Sequence, residues 1–381
     1  MEAVITAKNP FRPTFGVPPV FWVGRHSVLD TFDSALSAGP GSAGRSLLIS
    51  GARGIGKTVL LNEIEDKART HGWICLRASG RGTMVKELVE TTIPEALTSL
   101  SPISKRTISQ IGVSGIGSIG FSQESSRSYI PNLKTELRAL ISQLKGTGVL
   151  LSIDEVQDAD ASDLMELATA YQDVIRDELD IALVAVGLPQ GINRLLSLPG
   201  ITFLRRAQKF VLGPFSPQNA AAAFRATPQD SGITFAPAAI DQAVVLSRGY
   251  PYMVQLVGSL AWDRAHRRGS HTITDNDIAS IATAARTTLG VHVHQPALID
   301  LSPGQRSFLE AMAHCIDPAT GSSRIADIAA TLGSTTKSLS STRQYLLDAD
   351  LIEPAGYGSL RFVIPYMEDI LTHTDSLGRV D

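Results

Sequence analysis

Short, nearly continuous apolar runs alternate with amphipathic stretches over the first half of the chain. Between the runs, apolar residues recur at helical spacing, as at Val28, Leu29, Phe32 and Leu36. Strands that are apolar throughout and alternate with helices are typical of a parallel sheet buried on both faces. The pattern therefore predicts a parallel αβα unit with five buried strands, at 46–50, 73–79, 148–155, 181–187 and 208–215.

From residue 216 onward the periodicity is helical only. "SPQNAAAAFRAT", "APAAIDQAVVLSRG", "YPYMVQLVGSLAWDRAHRRG" and "TDNDIASIATAARTTLG" each begin with residues that favour helix N-termini. After the linker-like stretch "VHVHQPALIDL", which carries His292 and His294, three helical patterns precede "LIEPAGYGSLRFVI". Three helices followed by a glycine-centred hairpin are typical of a winged helix-turn-helix unit.

These patterns divide the chain into four parts. A proline-rich extended arm at 1–20 precedes the αβα unit at 21–215, a helical lid at 216–292 and a winged helix domain at 293–381. Within the αβα unit, residues 101–130 are rich in Ser, Gly and Ile with alternating apolar positions. This composition indicates an inserted β-hairpin or mobile loop.

Composition adds few constraints. The chain has 381 residues, 43% hydrophobic and 19% charged, which is typical of a globular protein of two or three domains. The net charge of −3 provides no global basic field. Cys75 and Cys315 are far apart in sequence and are expected to be reduced. The N-terminus lacks a signal pattern, and no run approaches the roughly 20 apolar residues that span a bilayer, so a cytoplasmic protein without a membrane partner is expected.

"GARGIGKT" at 51–58 directly follows the first predicted strand and fits the spacing G-x-x-x-x-G-K-[ST]. In such a loop backbone N–H groups surround phosphate oxygens, the lysine reaches the outer phosphates and the hydroxyl contacts Mg²⁺. The predicted nucleotide contacts are Gly51, Ala52, Arg53, Gly54, Ile55, Gly56, Lys57, Thr58 and Val59. A fortuitous glycine-rich turn would lack this position between a strand and a helix.

"VLLSIDE" ends a predicted strand in two acidic residues, Asp154 and Glu155. An acidic pair at a buried strand end is costly without a nearby cation. In P-loop enzymes the aspartate helps hold Mg²⁺ and the following glutamate polarises the attacking water. The two motifs together predict an ATPase with ATP or ADP and Mg²⁺ as cofactors, in which Lys57, Thr58, Asp154 and Glu155 carry the chemistry.

"FWVGRHSVLDTF" at 21–32 resembles the F-x-G-R-x-x-x-L entry box of AAA+ ATPases of the origin-recognition type and of the signal-transduction ATPases. The phosphate loop, the "DE" strand, the lid sequence "GYPYMVQ" and the winged helix extend the resemblance over most of residues 20–370. The resemblance implies that Val23, Gly24 and Arg25 lie near the base or the phosphates and that Pro251 covers the nucleotide. A surface ion pair is the alternative role for Arg25.

Two positions depart from this family. The fourth strand ends in Gly187 and Leu188 where a polar sensor of the γ-phosphate is common, so the sensor is missing, or a backbone amide or Gln190 substitutes. The lid arginine expected after Gly249 is also absent, with Arg248 standing just before that glycine. Slow turnover is therefore expected.

Arg205 and Arg206 precede the fifth predicted strand, where an arginine finger would be offered to a neighbouring subunit of a homo-oligomer. Solvated arginines at a sheet edge are the alternative. In the winged helix, Lys337, Arg343 and Arg361 are candidate DNA contacts, but residues 301–381 carry six Lys or Arg against ten Asp or Glu. The expected function is an ATP-dependent switch acting on a macromolecular partner, with protein assembly or DNA binding as its output.

Overall fold

The computed structural model describes residues 8–14, 16–100 and 131–372. The predicted insert at 101–130 lies outside the described residues. A five-stranded parallel sheet forms the first unit, with the order β2-β3-β4-β1-β5. Its strands are β1 Ser46–Gly51, β2 Ile74–Ser79, β3 Val149–Asp154, β4 Ile181–Gly187 and β5 Gln208–Leu212. The predicted parallel αβα fold is confirmed.

Helices cover both faces of this sheet. Leu47 and Ile49 of β1 pack with α1 His26–Ala38 and α2 Lys57–Thr70, whereas Leu48 points to the other face. The helices on that face are α3 Met84–Glu87, α4 Ile93–Leu100, α5 Leu133–Ser142, α6 Ala161–Arg176 and α7 Pro189–Ser197. Side chains of successive strand residues point to opposite faces, and each face is covered, so the strands must be apolar throughout.

The fifth strand departs from the prediction of a buried strand. β5 pairs only with β1 and lies at the edge of the sheet, where Val211 is 79% exposed. The strand alternates exposed and half-buried residues before Leu212, because one side of it has no covering helix layer.

The helical part comprises α8 Pro217–Ala226, α9 Pro237–Ser247, α10 Pro251–Arg267 and α11 Asp275–Leu289. Ser216 caps α8 by accepting a hydrogen bond from Asn219 N at 3.2 Å, and Thr274 and Asp277 form a reciprocal capping box at α11. Two very short parallel strands, β6 Thr234–Phe235 and β7 Thr272–Ile273, join the connections between these helices and were not predicted.

The C-terminal part contains α12 Gln295–Leu298, α13 Pro303–His314, β8 Ser323–Arg324, α14 Ile325–Thr331, α15 Ser340–Asp348, β9 Ile352–Pro354, β10 Ser359–Phe362 and α16 Met367–Thr372. Its antiparallel sheet has the order β8-β10-β9, which confirms the predicted winged-helix arrangement. The third predicted helix begins later than expected, at Ser340, because Thr335 and Ser338 form a hydrogen-bonded turn before it. The domain boundaries at 215 and 292 stay predictions.

The stretch interpreted as a linker is helical instead. Residues 290–294 form one π-helical turn that continues α11 into α12. His294 is fully buried there, and its Nε2 donates to the carbonyl of Pro365 at 2.9 Å. Burial lowers the pKa of His294 to about 4. The imidazole is therefore a neutral structural donor that links this turn to the segment before α16.

Tyr366 fixes the C-terminal part on the helical part. Its hydroxyl donates to Leu246 O at 2.9 Å, and its ring lies 3.9 Å from the guanidinium of Arg248 and 4.6 Å from that of Arg286. Arg248 also pairs with Glu368 at 3.1 Å. In the described ranges 8–14, 16–100 and 131–372, no helix is long and apolar enough to cross a membrane.

His294 predicts a specific dependence of stability on pH. The unfolded chain binds a proton on this imidazole near its ordinary pKa of about 6.5, whereas the folded pKa is about 4. Between these values the unfolded state holds more protons, so this contribution destabilises the fold as pH falls, by about 2 kcal/mol at pH 5. The contribution vanishes above pH ~6.5.

His294→Gln keeps a donor for Pro365 but cannot titrate. We expect its melting temperature to fall less than that of the wild type between pH 7 and pH 5 in thermal denaturation followed by circular dichroism. His314→Gln, at an exposed position, is the matched control. Parallel pH profiles for the wild type and His294→Gln would contradict the prediction.

Candidate nucleotide site

The glycine-rich loop connects β1 to α2 at the carboxyl edge of the sheet. Gly54 and Gly56 have φ values of +71° and +92°, a left-handed conformation that favours glycine. Gly56 is the N-cap of α2, and no side chain caps that helix end. The first N–H groups of the helix and those of the loop are therefore suited to bind an anion.

The side chain of Lys57 is held inside this loop. It is 7% exposed, and its Nζ donates to Gly51 O at 2.8 Å and Ala52 O at 2.9 Å. Burial lowers the pKa of Lys57, while the charges of Glu155, Asp350 and Asp154 act in the opposite direction. The ammonium is thus fixed at the base of the loop and surrounded by acidic groups.

Thr58 and Asp154 lie together beside Lys57. Burial raises the pKa of Asp154, and the hydrogen bond from the Thr58 hydroxyl opposes this rise. Oδ1 of Asp154 also accepts from Glu155 N at 3.0 Å, and Arg77 lies 3.7 Å from Oδ2. A hydroxyl and a carboxylate are oxygen donors of the type that Mg²⁺ prefers, so the residues present fit this ion.

No cluster of three or more His, Cys, Asp or Glu that could hold a metal occurs in the part of the chain that the structure describes. In the usual Mg²⁺ site of phosphoryl-transfer proteins, one or two side chains act together with substrate phosphates and water.

A cavity of about 700 Å³ opens beside the loop. Its walls come from four parts of the chain: the arm (Arg12, Thr14, Gly16, Val17, Pro19), the αβα unit (Phe21, Trp22, Val23, Arg25, Arg53–Val59, Arg81, Glu155, Phe215), the lid (Ala223, Pro251, Tyr252, Gln255) and the turn before α12 with the start of that helix (His292, Val293, Pro296). This volume lies within the range of small-molecule sites, about 300–1,000 Å³.

Ten of the predicted cofactor contacts line this cavity: Val23, Arg25, Arg53, Gly54, Ile55, Gly56, Lys57, Thr58, Val59 and Pro251. The other three do not. Gly51 and Ala52 bind Lys57 through their carbonyls, and Gly24 faces Asn219 and Phe215. The assignment of these residues as nucleotide contacts stays a prediction.

Among the residues that the structure describes, none offers Arg25 the carboxylate contact that a surface ion pair requires. Its Nη2 donates to Gly213 O at 2.7 Å, and its guanidinium lies 5.2 Å from the centre of the Phe215 ring. These contacts hold the entry segment against the end of β5, with the guanidinium at the cavity wall.

The arm closes one side of the cavity, which the sequence pattern did not indicate. Asn9 Nδ2 donates to Ser259 Oγ at 3.0 Å and to Asp263 Oδ1 at 2.8 Å, both on α10. Further along, Asn62 of α2 donates to Gly16 O at 3.0 Å. The arm thereby connects the lid to the sheet unit. Proline-rich composition predicted its extended shape but carries no signal for these contacts.

The lid also reaches the site through two tyrosines of the sequence "GYPYMVQ", and an acidic residue of the winged helix that no motif marked lies within electrostatic range of the loop. The Tyr250 hydroxyl donates to the carbonyl of Arg53 in the loop, and Tyr252 Oη lies 2.8 Å from His292 Nδ1. Asp350, just after α15, lies in the electrostatic range of Lys57 and Arg53. Its Oδ2 is buried without a hydrogen-bond partner among the described residues. Burial raises the pKa of Asp350 to about 6, against the effect of the two cations.

Three predicted residues lie elsewhere. Arg205 and Arg206 are exposed in the turn before β5, at the opposite edge of the sheet from the loop, since Leu212 at the other end of β5 pairs with Gly51. A five-residue strand separates them from the loop by roughly 16 Å. Arg248 contacts Glu368 and Tyr366, so it does not replace the missing lid arginine in this arrangement.

The end of β4 also differs from the family pattern, as expected from the sequence. Gly187 has no side chain to offer, and the N–H of Leu188 donates to Gln157 Oε1 at 2.9 Å. Gln190 is not among the described residues that line the cavity. Whether the sensor is missing or a backbone amide or Gln190 takes its place stays a prediction; in this structure the Leu188 amide binds Gln157.

Two segments of the chain match known domain families. Residues 22–184 match the AAA ATPase domain model, and residues 291–371 match a domain of unknown function (DUF8462). No curated protein matches.

Two solved structures share the fold over nearly the whole chain. The Walker-type ATPase PABY2304 of Pyrococcus abyssi has 17% identity and a TM-score of 0.62, covering 92% of this chain and 96% of that one. The ORC2 protein of Aeropyrum pernix, solved as ADPNP and ADP complexes, has 13% identity and a TM-score of 0.63, covering 94% and 96%. The chain thus contains a segment, residues 22–184, that matches the AAA ATPase domain, within a fold that these two structures share.

Proposed function

We propose that the protein is a slowly hydrolysing ATP-dependent switch that couples its nucleotide state to domain rearrangement and to binding or assembly of a macromolecular partner. One observation carries the proposal: the arm, the sheet unit, the lid and the turn before α12 all line the cavity. A nucleotide that contacts all four parts binds with one affinity when the parts lie together and with another when they are separated. Its binding therefore shifts the population of those arrangements.

The residues around the loop supply the chemistry of hydrolysis in this proposal. Lys57 pairs with the outer phosphates, and Mg²⁺, held by Thr58 and Asp154, neutralises phosphate charge when it is bound. The Glu155 carboxylate lines the cavity beside Lys57 and Thr58. It orients the attacking water and accepts its proton.

Asp350 gives the winged helix an electrostatic response to the nucleotide. Its carboxylate lies within electrostatic range of the same cations, Lys57 and Arg53, that would pair with the phosphates. Adding the negative charge of ATP at the loop repels a nearby carboxylate. ATP binding therefore disfavours the docked position of this part of the winged helix.

Arg205 and Arg206 support a role between subunits. Both are exposed, and Arg205 Nε donates to Leu196 O at 3.3 Å, which holds this arginine beside α7. Because they lie at the edge opposite their own loop, they could reach only the ATP of a neighbouring subunit. A guanidinium there would stabilise charge on the transferring phosphoryl group.

The surface of the winged helix favours a protein partner over DNA. Arg361 pairs with Glu353 across the wing, which reduces its availability for phosphates. Tyr357 at the wing tip is fully exposed, and the segment 301–381 has more acidic than basic residues. DNA binding through Lys337 and Arg343 is the alternative output.

Substitution of Lys57 and Glu155 separates binding from turnover. Lys57→Ala should abolish the stabilisation by Mg-ATP, which for the wild type is roughly 2.7 kcal/mol at 100-fold excess over Kd. Glu155→Gln should keep that stabilisation but lose most phosphate release, because the carboxylate orients water rather than substrate. Lys67→Ala, at an exposed position of the same helix, is the control in thermal shift and phosphate-release assays. Equal thermal shifts for the wild type and Lys57→Ala would refute the nucleotide site.

Asp350→Asn tests the electrostatic contact of the winged helix. Asparagine tolerates the left-handed backbone of residue 350, where φ is +56°. Removing the carboxylate should tighten ATP binding about fivefold, corresponding to about 1 kcal/mol of relieved repulsion. Asp348→Asn makes the same charge change at an exposed site two residues away. Isothermal titration that gives both variants the same Kd would show that Asp350 does not act on the nucleotide.

The double substitution Arg205→Ala/Arg206→Ala should spare ATP binding to the monomer and remove any turnover that rises with protein concentration. Nucleotide-driven self-association, followed by light scattering, should weaken in parallel. Arg225→Ala, another exposed arginine, serves as control. Turnover that is independent of concentration and unchanged by the double substitution would assign the two arginines to the solvated surface.

A further inference from the structure

Gln157 connects Glu155 to the end of β4. It lies in the short turn Val156–Asp158 that follows β3. Its Nε2 donates to Oε2 of Glu155, and its Oε1 accepts from the N–H of Leu188 at 2.9 Å. A single side-chain amide therefore joins a carboxylate that lines the cavity to the strand end where a polar sensor residue is missing.

The neighbouring glycines make room for this amide. A Cβ on Gly187 would lie 2.8 Å from Gln157 Oε1, and a Cβ on Gly191 would lie 2.7 Å from both Gln157 N and Gln157 Cβ. Neither glycine has a positive φ. Their lack of a side chain therefore serves close approach rather than an unusual backbone conformation.

The contacts fix the orientation of the amide. Leu188 N–H is only a donor, so the oxygen of Gln157 must face it and the NH₂ group must face Glu155. The hydrogen bond from Gln157 reaches Oε2 of Glu155 and not Oε1. One carboxylate oxygen is thus held by the protein, and the other is available to accept a hydrogen bond from water.

The backbone of Glu155 is held from the other side. Its φ of +54° is uncommon for a residue with a side chain. Asp158 N donates to Glu155 O at 2.9 Å, and Gly80 lies so close that a Cβ there would be 2.1 Å from that carbonyl. The remaining freedom of the residue lies in its side-chain torsions, which the bond to Gln157 restricts.

We propose that Gln157 is a positioning residue for ATP hydrolysis. Its side chain holds the Glu155 carboxylate against the end of β4. The amide occupies the space that a sensor side chain at position 187 would take. This inference rests on the proposed role of Glu155. Gln157 makes no contact with nucleotide in the proposal and acts only through Glu155.

Gln157→Ala should lower kcat about 10- to 100-fold, the size of effect expected when a reacting group is misplaced by about 1 Å. The KM for ATP and the thermal shift with Mg-ATP should stay within twofold, because the loop is unaltered. Gln190→Ala is the comparison variant, since it removes a second glutamine, in the first turn of α7 just after the same strand end. Steady-state and single-turnover phosphate release measure both variants.

Gln157→Glu adds a readout that a merely structural residue would not give. Its carboxylate repels Glu155 at neutral pH, but one shared proton restores the pattern, with the hydroxyl donating to Glu155 and the carbonyl accepting from Leu188 N–H. The ratio of its kcat to that of the wild type should therefore rise as pH is lowered from 8 to 6. This ratio also tests the inference if Gln157→Ala proves unstable.

The possible outcomes separate this inference from the proposed function. If Glu155→Gln is inactive while Gln157→Ala keeps kcat within twofold, or if Gln190→Ala shows the loss instead, the positioning role is overturned and the role of Glu155 stands. A pH-independent ratio for Gln157→Glu also overturns it. Wild-type turnover in Glu155→Gln would instead refute the role of Glu155 and, with it, the inference.

Discussion

The buried ammonium of Lys57 is the constraint on which the arrangement of the site depends. A cation with 7% exposure is costly unless its donors are paired and opposite charges lie nearby. The carbonyls of Gly51 and Ala52 satisfy two of its donors, and carboxylates from β3 and from the winged helix supply the charge. Burial disfavours the charged forms of these carboxylates, and it raises the pKa values of Asp154 and Asp350. Each charge is therefore tolerated because of the others.

This mutual dependence extends the site beyond the sheet. Tyr250 binds the loop carbonyl of Arg53, and its hydroxyl lies where a side chain at Gly54 would have to be. The lid thus packs directly on the phosphate loop. The turn at 290–294 then continues the lid into the winged helix, where Tyr252 lies beside His292. Packed groups and a continuous helical turn therefore connect the loop to the C-terminal part.

The sequence predicted those features that local pattern determines. Buried strands are apolar throughout, and the loop and the "DE" pair have fixed spacing at strand ends, so the sheet and the site edge were predictable. Residues 290–294 were misread because two histidines and a proline resemble a linker, whereas the helix there depends on burial of His294 against Pro365. Gln157 and Asp350 were missed for a related reason. Their contacts join elements far apart in sequence, and no spacing rule connects Gln157 to Leu188 or Asp350 to Lys57.

The position of Asp350 also bears on whether the proposed switch acts on DNA or on a protein. A domain that binds DNA through its charge needs a basic surface, yet this domain has an acidic balance and places one carboxylate within electrostatic range of the loop cations. The same negative charge that weakens an interaction with DNA phosphates also weakens docking once nucleotide phosphates occupy the loop. Both effects arise from like-charge repulsion, so an acidic winged helix suits a domain that is released by ATP better than one that follows it onto DNA. In the proposed function, the surface of the winged helix that is freed by this release binds a protein partner.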